Sequence, residues 1–300
     1  MIARRFTAVL AAAALLGASG CCRLLDLTSE GDDAPPASTS PAEELGTVTY
    51  PAGSAANAAI HTWNDKLLKP SIYRVGYALS ASESAAIETS LRDYAGRVGY
   101  HDDGKGKFRW VPPAGCAGDM HCVFVELTAR SKDDLAPLIE RFRARKVAKG
   151  LSALDLAGLV VTFVQNIQYE IPAEEPFGVL APALVVSRRK GDCDSKGLLA
   201  HILLHSLGFD TMLLSSTAHH HSMLGIALPV PGTKLTHGGR DYAFTEMTAR
   251  GSPIGHINAA LLRPNDWKAV PFRYPDSAAL PAKGTVKPPA PTTPKKTPAR

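Results

Sequence analysis

Three residues in the second half of the chain have the types and order needed for nucleophilic catalysis. Cys193 stands in "KGDCDSKG", where an apolar helical pattern begins. His221 is the last of three consecutive histidines before an apolar run, and Glu246 interrupts the apolar segment "YAFTEMTA". A helix N-terminus helps a thiol to ionise, and a thiolate nucleophile needs a base that is oriented by a third group. The order therefore predicts a Cys193–His221–Glu246 triad.

The residues alone leave alternatives open at each position. Cys193 could be a buried structural thiol, half of a disulfide or a metal ligand. His219 and His220 adjoin His221, which leaves the identity of the base open, although His221 directly precedes the strand-like run. Glu246 could face water from an edge strand, whereas a bond to His221 would explain an acid among apolar residues.

The residues around the cysteine indicate how a helix would present it. Asp192 is of the type that caps a helix N-terminus. Gly191 would allow a sharp turn and leave room for a substrate. Gly197 lies inside the helix, where glycine costs about 1 kcal/mol relative to alanine, so we expect a close approach there.

The elements that must position these residues follow from the periodicity. "SALDLAGLVVTFVQNIQY" predicts a helix that begins after Ser152, and the loop of residues 170–191 leads to the Cys193 helix, which ends at Gly208. Three strand-like runs follow: "FDTMLLSS", "HHHSMLGIALPV" and "RDYAFTEMTA". A helix followed by consecutive strands predicts an α+β fold in which an antiparallel sheet packs on the nucleophile helix.

The preceding region, residues 46–150, has a mixed pattern and no recognisable function. It contains two predicted strands, "SIYRVGYAL" and "CVFVELTA", and two predicted helices, "SASESAAIETSLRDYAGRV" and "DDLAPLIERFRARKVA". It is either a separate α+β subdomain or a set of extensions packed on a core formed by residues 151–280.

The N-terminus predicts export. Residues 1–21 have two arginines, a short apolar run and small residues before Cys21, the layout of a lipoprotein signal in which Cys21 is lipidated. The alternative is a simple cleaved signal with two incidental cysteines. Residues 22–45 predict a disordered tether and residues 281–300 a disordered tail rich in Pro and Lys. We expect a membrane-anchored lipoprotein that faces the periplasm or the cell exterior.

Export changes the interpretation of the other cysteines. Cys116 and Cys122 in "GCAGDMHC" can close a small loop, so we expect a disulfide between them. Metal binding with His121 and the histidines at 219–221 is the alternative, but the spacing is not a zinc spacing. We therefore expect neither a metal nor another cofactor.

The charge distribution argues against nucleic-acid binding. The tail of residues 281–300 holds five of the 33 basic residues and no acid, so the remaining chain has 28 basic and 28 acidic residues. A basic face with interleaved aromatic residues is not evident. The tail could contact anionic envelope polymers or lipid headgroups, or could have no function.

Five short sequence motifs resemble those of the transglutaminase-like superfamily, in its bacterial and archaeal cysteine-protease-like branch. They are Gly191-Asp192-Cys193-Asp194, His221 at the head of a strand, Tyr242-x-x-x-Glu246-x-Thr248, "FVQNIQY" at 163–169 and "GSPIGHI" at 251–257. The resemblance covers residues 150–260. One position departs from the pattern, since Pro182-Ala183-Leu184 stands where the family carries Pro-x-Glu.

The resemblance implies a papain-like, transglutaminase-core fold and acyl-transfer chemistry. Cys193 would attack an amide carbonyl, His221 would relay the proton, and Glu246 would orient the imidazole. Backbone N–H groups beside Asp192 and Cys193 would stabilise the oxyanion, and Gln165 could add a side-chain donor, with Gln168 as close in sequence.

Three functions are consistent with these residues. The first is an envelope cysteine hydrolase that cleaves a peptide or isopeptide bond through a thioester. The second is an acyltransferase that uses an amine instead of water. The third is a non-catalytic envelope binding module of the same fold. The expected partners are a protein or peptide substrate and, through the lipid, the membrane, while the oligomeric state stays open.

Overall fold

The computed structural model describes residues 42–50, 55–66, 68, 70–104, 106–114, 116 and 120–270. The predicted signal peptide with Cys21, residues 22–41 of the predicted tether and the tail of residues 281–300 lie outside the described residues. The first strand begins at Glu43, so the last three residues of the predicted tether, 43–45, belong to a strand. Among the described helices, none is long and apolar enough to cross a membrane.

The first sheet is formed near the N-terminus by three strands, β1 (Glu43–Tyr50), β2 (Ala59–Asn64) and β3 (Ile72–Leu79). The central strand β3 is parallel to β1 and antiparallel to β2. Helix α1 (Ala81–Arg97) follows and is capped by Ser80, whose hydroxyl accepts a hydrogen bond from the backbone N–H of Glu83 at 3.1 Å. The predicted strand and the predicted Ser-capped helix are both confirmed. A short hairpin of β4 (His101–Gly104) and β5 (Lys107–Arg109) comes next.

The predicted strand "CVFVELTA" is wrong, because these residues form the first turns of α2 (His121–Lys149). The run is rich in Val and Phe, which favour strands when read alone. Val123, Phe124 and Leu127 nevertheless fall on one helical face, and all three are buried. The second predicted helix of this region is the continuation of α2. Cys122, in the first turn, is disulfide-bonded to Cys116 with their Cα atoms 5.9 Å apart, as predicted.

Three helices build the middle of the chain: α3 (Ala153–Gln165), α4 (Pro182–Arg188) and α5 (Cys193–Ser206). Helix α3 begins with a capping box between Ser152 and Asp155. The loop predicted at 170–191 contains α4, which begins at a proline in the position where a helix tolerates it best. Two-residue strands β6 (Gln168–Tyr169) and β7 (Lys190–Gly191) pair in parallel just before α5.

The second sheet has five antiparallel strands in the order β10-β11-β9-β8-β12. They are β8 (Thr211–Ser216), β9 (His221–Ile226), β10 (Lys234–His237), β11 (Arg240–Thr245) and β12 (Lys268–Val270). Short 3-10 helices cover Ala55–Asn57, Pro176–Gly178, Ala259–Leu261 and Pro264–Asp266. The three predicted strands are β8, β9 and β11, so the predicted α+β class with an antiparallel sheet is confirmed, and β10 and β12 extend it.

Helix α5 packs directly on β8 and β9. Gly197 makes this approach possible, because a Cβ atom there would lie 2.8 Å from Cδ2 of Leu213 on β8. The expectation of a close approach at Gly197 is therefore confirmed.

One hydrophobic core joins the two halves of the chain. The larger of two clusters contains buried side chains from both halves, from Leu45 to Met247, and includes Trp63 from β2, Phe142 from α2 and Phe163 from α3. The smaller cluster includes Phe244 of β11 and Trp267. Residues 46–150 thus share their core with the segment that carries Cys193. This continuity favours the interpretation of the N-terminal region as extensions packed on the core.

Candidate active site

Cys193 is the first residue of α5, and its side chain is fully buried. It is the described cysteine that forms no disulfide. Asp192 caps the helix as predicted, since its Oδ1 accepts a hydrogen bond from the backbone N–H of Ser195 at 2.9 Å. A thiol at this place receives the partial positive charge of a 14-residue helix.

Gly191 has a different role from the one expected. Its φ angle is not positive, so no sharp left-handed turn requires glycine there. A Cβ atom would lie 3.2 Å from Cβ of Ser195 and 3.3 Å from Cγ1 of Val185. Glycine therefore lets β7 pack closely against α4 and α5, rather than leaving room for a substrate.

His221 and Glu246 form a buried hydrogen-bonded pair. Nε2 of His221 lies 2.8 Å from Oε2 of Glu246. The other carboxylate oxygen, Oε1, accepts hydrogen bonds from the backbone N–H of Thr248 at 2.7 Å and from its hydroxyl at 2.6 Å. Both carboxylate oxygens are therefore held, and Thr248 fixes the orientation of the group that orients His221.

The charge state of Glu246 determines the tautomer of His221. Burial alone would raise the pKa of Glu246, but the hydrogen bond and charge of His221, together with the two hydrogen bonds from Thr248, bring this pKa below its usual value of 4.5. The ionised carboxylate only accepts hydrogen bonds, so Nε2 of His221 carries the proton that it donates. In the neutral ring, Nδ1 is then the nitrogen that can accept a proton.

The three adjacent histidines have different environments in the structure. His220 is exposed and has a positive φ of 47°. Nε2 of His219 lies 3.1 Å from Oδ2 of Asp266. His221 is the histidine hydrogen-bonded to Glu246, and it is the one that begins strand β9.

Neighbouring elements bring the three predicted side chains into one region. Strands β9 and β11 are adjacent, so His221 at the start of β9 lies beside Glu246, which directly follows β11. Helix α5, which begins with Cys193, packs on β9. The charges of Cys193 and Glu246 both act on the same buried ammonium group, that of Lys196.

The side-chain amide of Gln165 uses both of its hydrogens and its oxygen in hydrogen bonds that the sequence did not indicate. Its side-chain amide donates to the backbone carbonyls of Glu246 at 2.8 Å and Ser252 at 2.9 Å, and its Oε1 accepts from the N–H of Gly251 at 3.1 Å. Both amide hydrogens are thus used, which leaves neither for the oxyanion role expected from the resemblance. Gln165 instead holds the segment that carries Glu246 against the end of α3.

Lys196 is a site residue that the sequence reasoning missed. Its side chain is fully buried, and its ammonium donates to the carbonyls of Ile167 at 2.7 Å and Gln165 at 3.3 Å. Position 196 lies one helical turn beyond Cys193, but no local pattern indicates that its side chain is buried. Burial is the main reason why its pKa falls from 10.5 to about 8.

Trp267 is the second residue that was missed. Its ring lies edge-on to the His221 ring, with centroids 6.2 Å apart, and contacts Phe244 at 5.4 Å. Its indole N–H donates to the carbonyl of Leu261 at 3.0 Å. The indole therefore gives the imidazole an apolar neighbour, although its position 21 residues after Glu246 gave no sequence signal.

A cluster of negative groups surrounds the thiol. One ligand-type atom from each of Asp192, Cys193 and Asp194 lies within 4.8 Å of the other two. Asp192 is committed to capping α5, and Asp194 is half-buried. Ionisation of the thiol would thus add negative charge next to two carboxylates.

A surface groove of about 380 Å³ ends at Gly191, two residues before Cys193. One wall is the segment 170–175, which includes the exposed side chain of Ile171. The other wall includes Arg188 and Lys190, which form ion pairs with Glu175 and Glu170. Gly191 thus brings the lining of the groove to the residue next to the cap of α5.

Compared with known proteins, the chain matches no family model, and no curated protein or solved structure is similar enough to indicate a relative. The chemistry of the site must therefore be argued from its own geometry.

Proposed function

We propose that this protein is a cysteine hydrolase that cleaves a peptide or isopeptide bond in the cell envelope through Cys193, His221 and Glu246. The observation that carries the proposal is the buried 2.8 Å bond between His221, on β9, and Glu246, because β9 packs against the helix that begins with Cys193, a cysteine that forms no disulfide. A base that is oriented by an acid, on an element packed against a helix with a thiol at its N-terminus, supports nucleophilic catalysis.

The proposed reaction uses the two ring nitrogens of His221 differently. Nδ1 accepts the thiol proton, the sulfur of Cys193 bonds to the substrate carbonyl carbon, and the oxyanion is stabilised by backbone N–H groups at the start of α5. The C–N bond then breaks, and the imidazolium returns the proton to the leaving amine. The same nitrogen then deprotonates a water molecule, whose oxygen bonds to the acyl carbon. The C–S bond breaks, the acid is released, and the proton returns to the sulfur of Cys193. Glu246 stays ionised and stabilises the imidazolium throughout.

Contacts between the sequence motifs that resemble the transglutaminase-like superfamily support a papain-like core. Gln165 and Ile167, in "FVQNIQY", bind Glu246 and Lys196 through the contacts described above. Gly251, in "GSPIGHI", binds the same Gln165 side chain. Sequence motifs that lie about 80 residues apart in the chain thus contact one another at the same site, as a shared catalytic core requires.

The groove that ends at Gly191 is the proposed binding place for the acyl part of the substrate. Its exposed Ile171 offers an apolar contact, while Glu174 at its wall is exposed to solvent. A peptide with an apolar side chain near the scissile carbonyl fits this lining better than a strongly acidic one.

The envelope location in the proposal rests on the sequence of residues 1–21. A Cys21→Ser variant of the full chain tests it, because we expect that variant to lose both lipid labelling and its place in the membrane fraction. Retention of both would contradict a lipid anchor at Cys21.

The chemistry is tested with p-nitrophenyl acetate, a small activated ester that acylates reactive thiols. We expect acetyl transfer to Cys193, observed by mass and by nitrophenol release, to be slower by about 10²-fold or more in H221A than in H220A, because general-base assistance contributes about 10²–10⁴-fold. His220 is the matched control, since it is adjacent but exposed. Equal rates in the two variants would contradict the proposal.

The same assay separates the hydrolase from the transferase. With methylamine added, a hydrolase releases acetate from the acetylated enzyme, whereas a transferase releases N-methylacetamide. A Cys193 that is never acetylated would favour the non-catalytic binding module.

A further inference from the structure

Lys196 is a buried cation that the proposed reaction does not use. From the first turn of α5, its ammonium donates to the carbonyl of Gln165, the last residue of α3, and to that of Ile167, two residues beyond the helix. The carbonyl of Gln165 lacks a partner within its own helix, as is usual at a helix C-terminus, so the lysine satisfies it from another element. It therefore links the helix that carries the nucleophile to the helix whose Gln165 holds Glu246.

The charges around Lys196 are mostly negative. Asp192 and Cys193 from its own helix and Glu246 after β11 interact with the ammonium, while Arg250 is the opposing positive charge. Arg250 is exposed, whereas Glu246 and Asp192 are buried. A thiolate at Cys193 would add a further negative charge beside Asp192 and Asp194. In such a place, an ionised sulfur needs a nearby cation that is poorly screened by water.

We propose that Lys196 is a positioning residue for the thiol chemistry, in that its buried ammonium fixes the start of α5 against the end of α3 and supplies the positive charge that stabilises the Cys193 thiolate. The inference rests on the proposed function. It goes beyond the triad because it assigns part of the activation of the thiol to a residue outside Cys193, His221 and Glu246.

A purely structural cap would satisfy the α3 carbonyls and leave the reactivity of the thiol unchanged. The lowered pKa of Lys196, about 8, gives a way to distinguish the two roles. As the pH rises through this value the ammonium loses its proton, and the thiolate loses its cation. A thiolate without that cation is more basic and therefore more nucleophilic. The alkylation rate of the wild-type protein should thus rise in a second step near pH 8.

The experiment measures the rate of iodoacetamide alkylation of Cys193 from pH 5 to pH 10 in the wild-type, K196M and K196R chains. We expect the midpoint of the first rise in the alkylation rate to lie about one pH unit or more higher in K196M. A nearby cation that water screens poorly lowers the pKa of a thiol by about that amount, and K196M removes this cation. K196R keeps a charge that cannot be lost in this range, so we expect it to retain the low midpoint without the second step.

Arg189 provides the matched control. It lies four residues before Cys193, but its side chain is exposed and it does not line the groove that ends at Gly191. R189M removes one positive charge near the same helix start, and we expect its profile to coincide with that of the wild-type protein, because solvent screens the lost charge.

An unchanged first midpoint in folded K196M would overturn the proposal, as would an equal shift in R189M. If K196M does not fold, a wild-type profile without a second step near pH 8 overturns it equally. These results differ from a failure of the proposed function, in which the wild-type thiol itself would show the midpoint of an ordinary cysteine.

Discussion

At the scale of single residues, the best-defined feature is the fully bonded carboxylate of Glu246. Each of the three named residues in the motif Tyr-x-x-x-Glu-x-Thr forms a side-chain hydrogen bond in the structure. Thr248 holds Oε1 of Glu246, His221 holds Oε2, and the hydroxyl of Tyr242 donates to Oδ2 of Asp210 at 3.1 Å, which ties β11 to the residue before β8. The acid and its histidine could be predicted from the sequence because an unpaired acid among apolar residues is costly.

Lys196 could not be predicted in the same way. A single lysine in a helix is usually assigned to the solvent side, because its long side chain can reach water from many positions. Its burial depends on the carbonyls of Gln165 and Ile167, about 30 residues earlier in the chain, and no local pattern encodes these contacts. Gln165 was noticed, but its role was not, since its partners Glu246, Gly251 and Ser252 lie more than 80 residues later.

The lowered pKa of Glu246 leads to a prediction for the stability of E246Q. A carboxyl whose pKa is lower in the folded than in the unfolded state stabilises the fold above its unfolded value of 4.5, and this contribution is lost as the pH falls below that value. We expect E246Q to be less stable than wild type by about 1.5–3 kcal/mol at pH 7, as for hydrogen bonds to charged groups. The difference should narrow between pH 5 and pH 3.

Urea unfolding of both proteins at several pH values gives the free energies of unfolding. The exposed Glu174 serves as a control, because E174Q should match the wild-type protein throughout. A difference between E246Q and wild type that stays constant down to pH 3 would show that the ionised form of Glu246 gains nothing from its hydrogen-bond partners.

At the scale of elements, the antiparallel sheet and its helix were more predictable than the turns and the start of α2. Strands β8, β9 and β11 show apolar runs with turn residues between them, and α5 shows a cap and a glycine stop. The start of α2 was predicted as a strand because Val and Phe favour strands locally, whereas its burial against the core selects the helix. Tertiary packing overrode propensity in that segment.

Helix α4 was missed for a different reason. Pro182 and the preceding prolines and acids read as a loop, and a seven-residue helix has too few turns to show a period. Its buried face, Ala183 to Val186, becomes visible only with its neighbours α2 and α5 in place. Short elements of this kind depend on partners that are distant in the chain.

At the scale of the whole molecule, the shared core makes the N-terminal region part of the unit that holds the site. Phe142 of α2 is fully buried, with its ring 5.5 Å from that of Phe163 on α3 and 6.5 Å from that of Trp63 on β2. Composition indicated a globular protein of this size, but it could not show whether the two halves fold on one core or two.

We expect F142A to destabilise the whole protein by about 3–5 kcal/mol, as for other buried Phe→Ala changes. Loss of thermal stability and loss of activity should occur together, because the substituted side chain and the site share one core. Calorimetry and an activity assay after heating measure the two. The control is V147A on the same helix, where the side chain is 78% exposed and should have little effect.

Two separate transitions in F142A, with the site surviving the first, would contradict a single cooperative unit. In that case residues 46–150 would be a subdomain with its own stability, which is the other interpretation of the sequence.

The central claim is that Cys193 is a thiolate nucleophile paired with His221, and the pH dependence of its alkylation tests this most directly. The measurement compares the iodoacetamide labelling of Cys193 in wild type, H221A and the matched control H220A. Burial of the thiol slows the reaction in all three chains, but the midpoint of each profile still reports the ionisation that makes the sulfur reactive.

We expect a wild-type midpoint at least about one unit below 8.5, the ordinary pKa of a thiol, with the same midpoint in H220A and a midpoint raised toward that ordinary value in H221A. A wild-type midpoint at or above about 8.5, no labelling at any pH, or an H221A profile identical to that of wild type would contradict it.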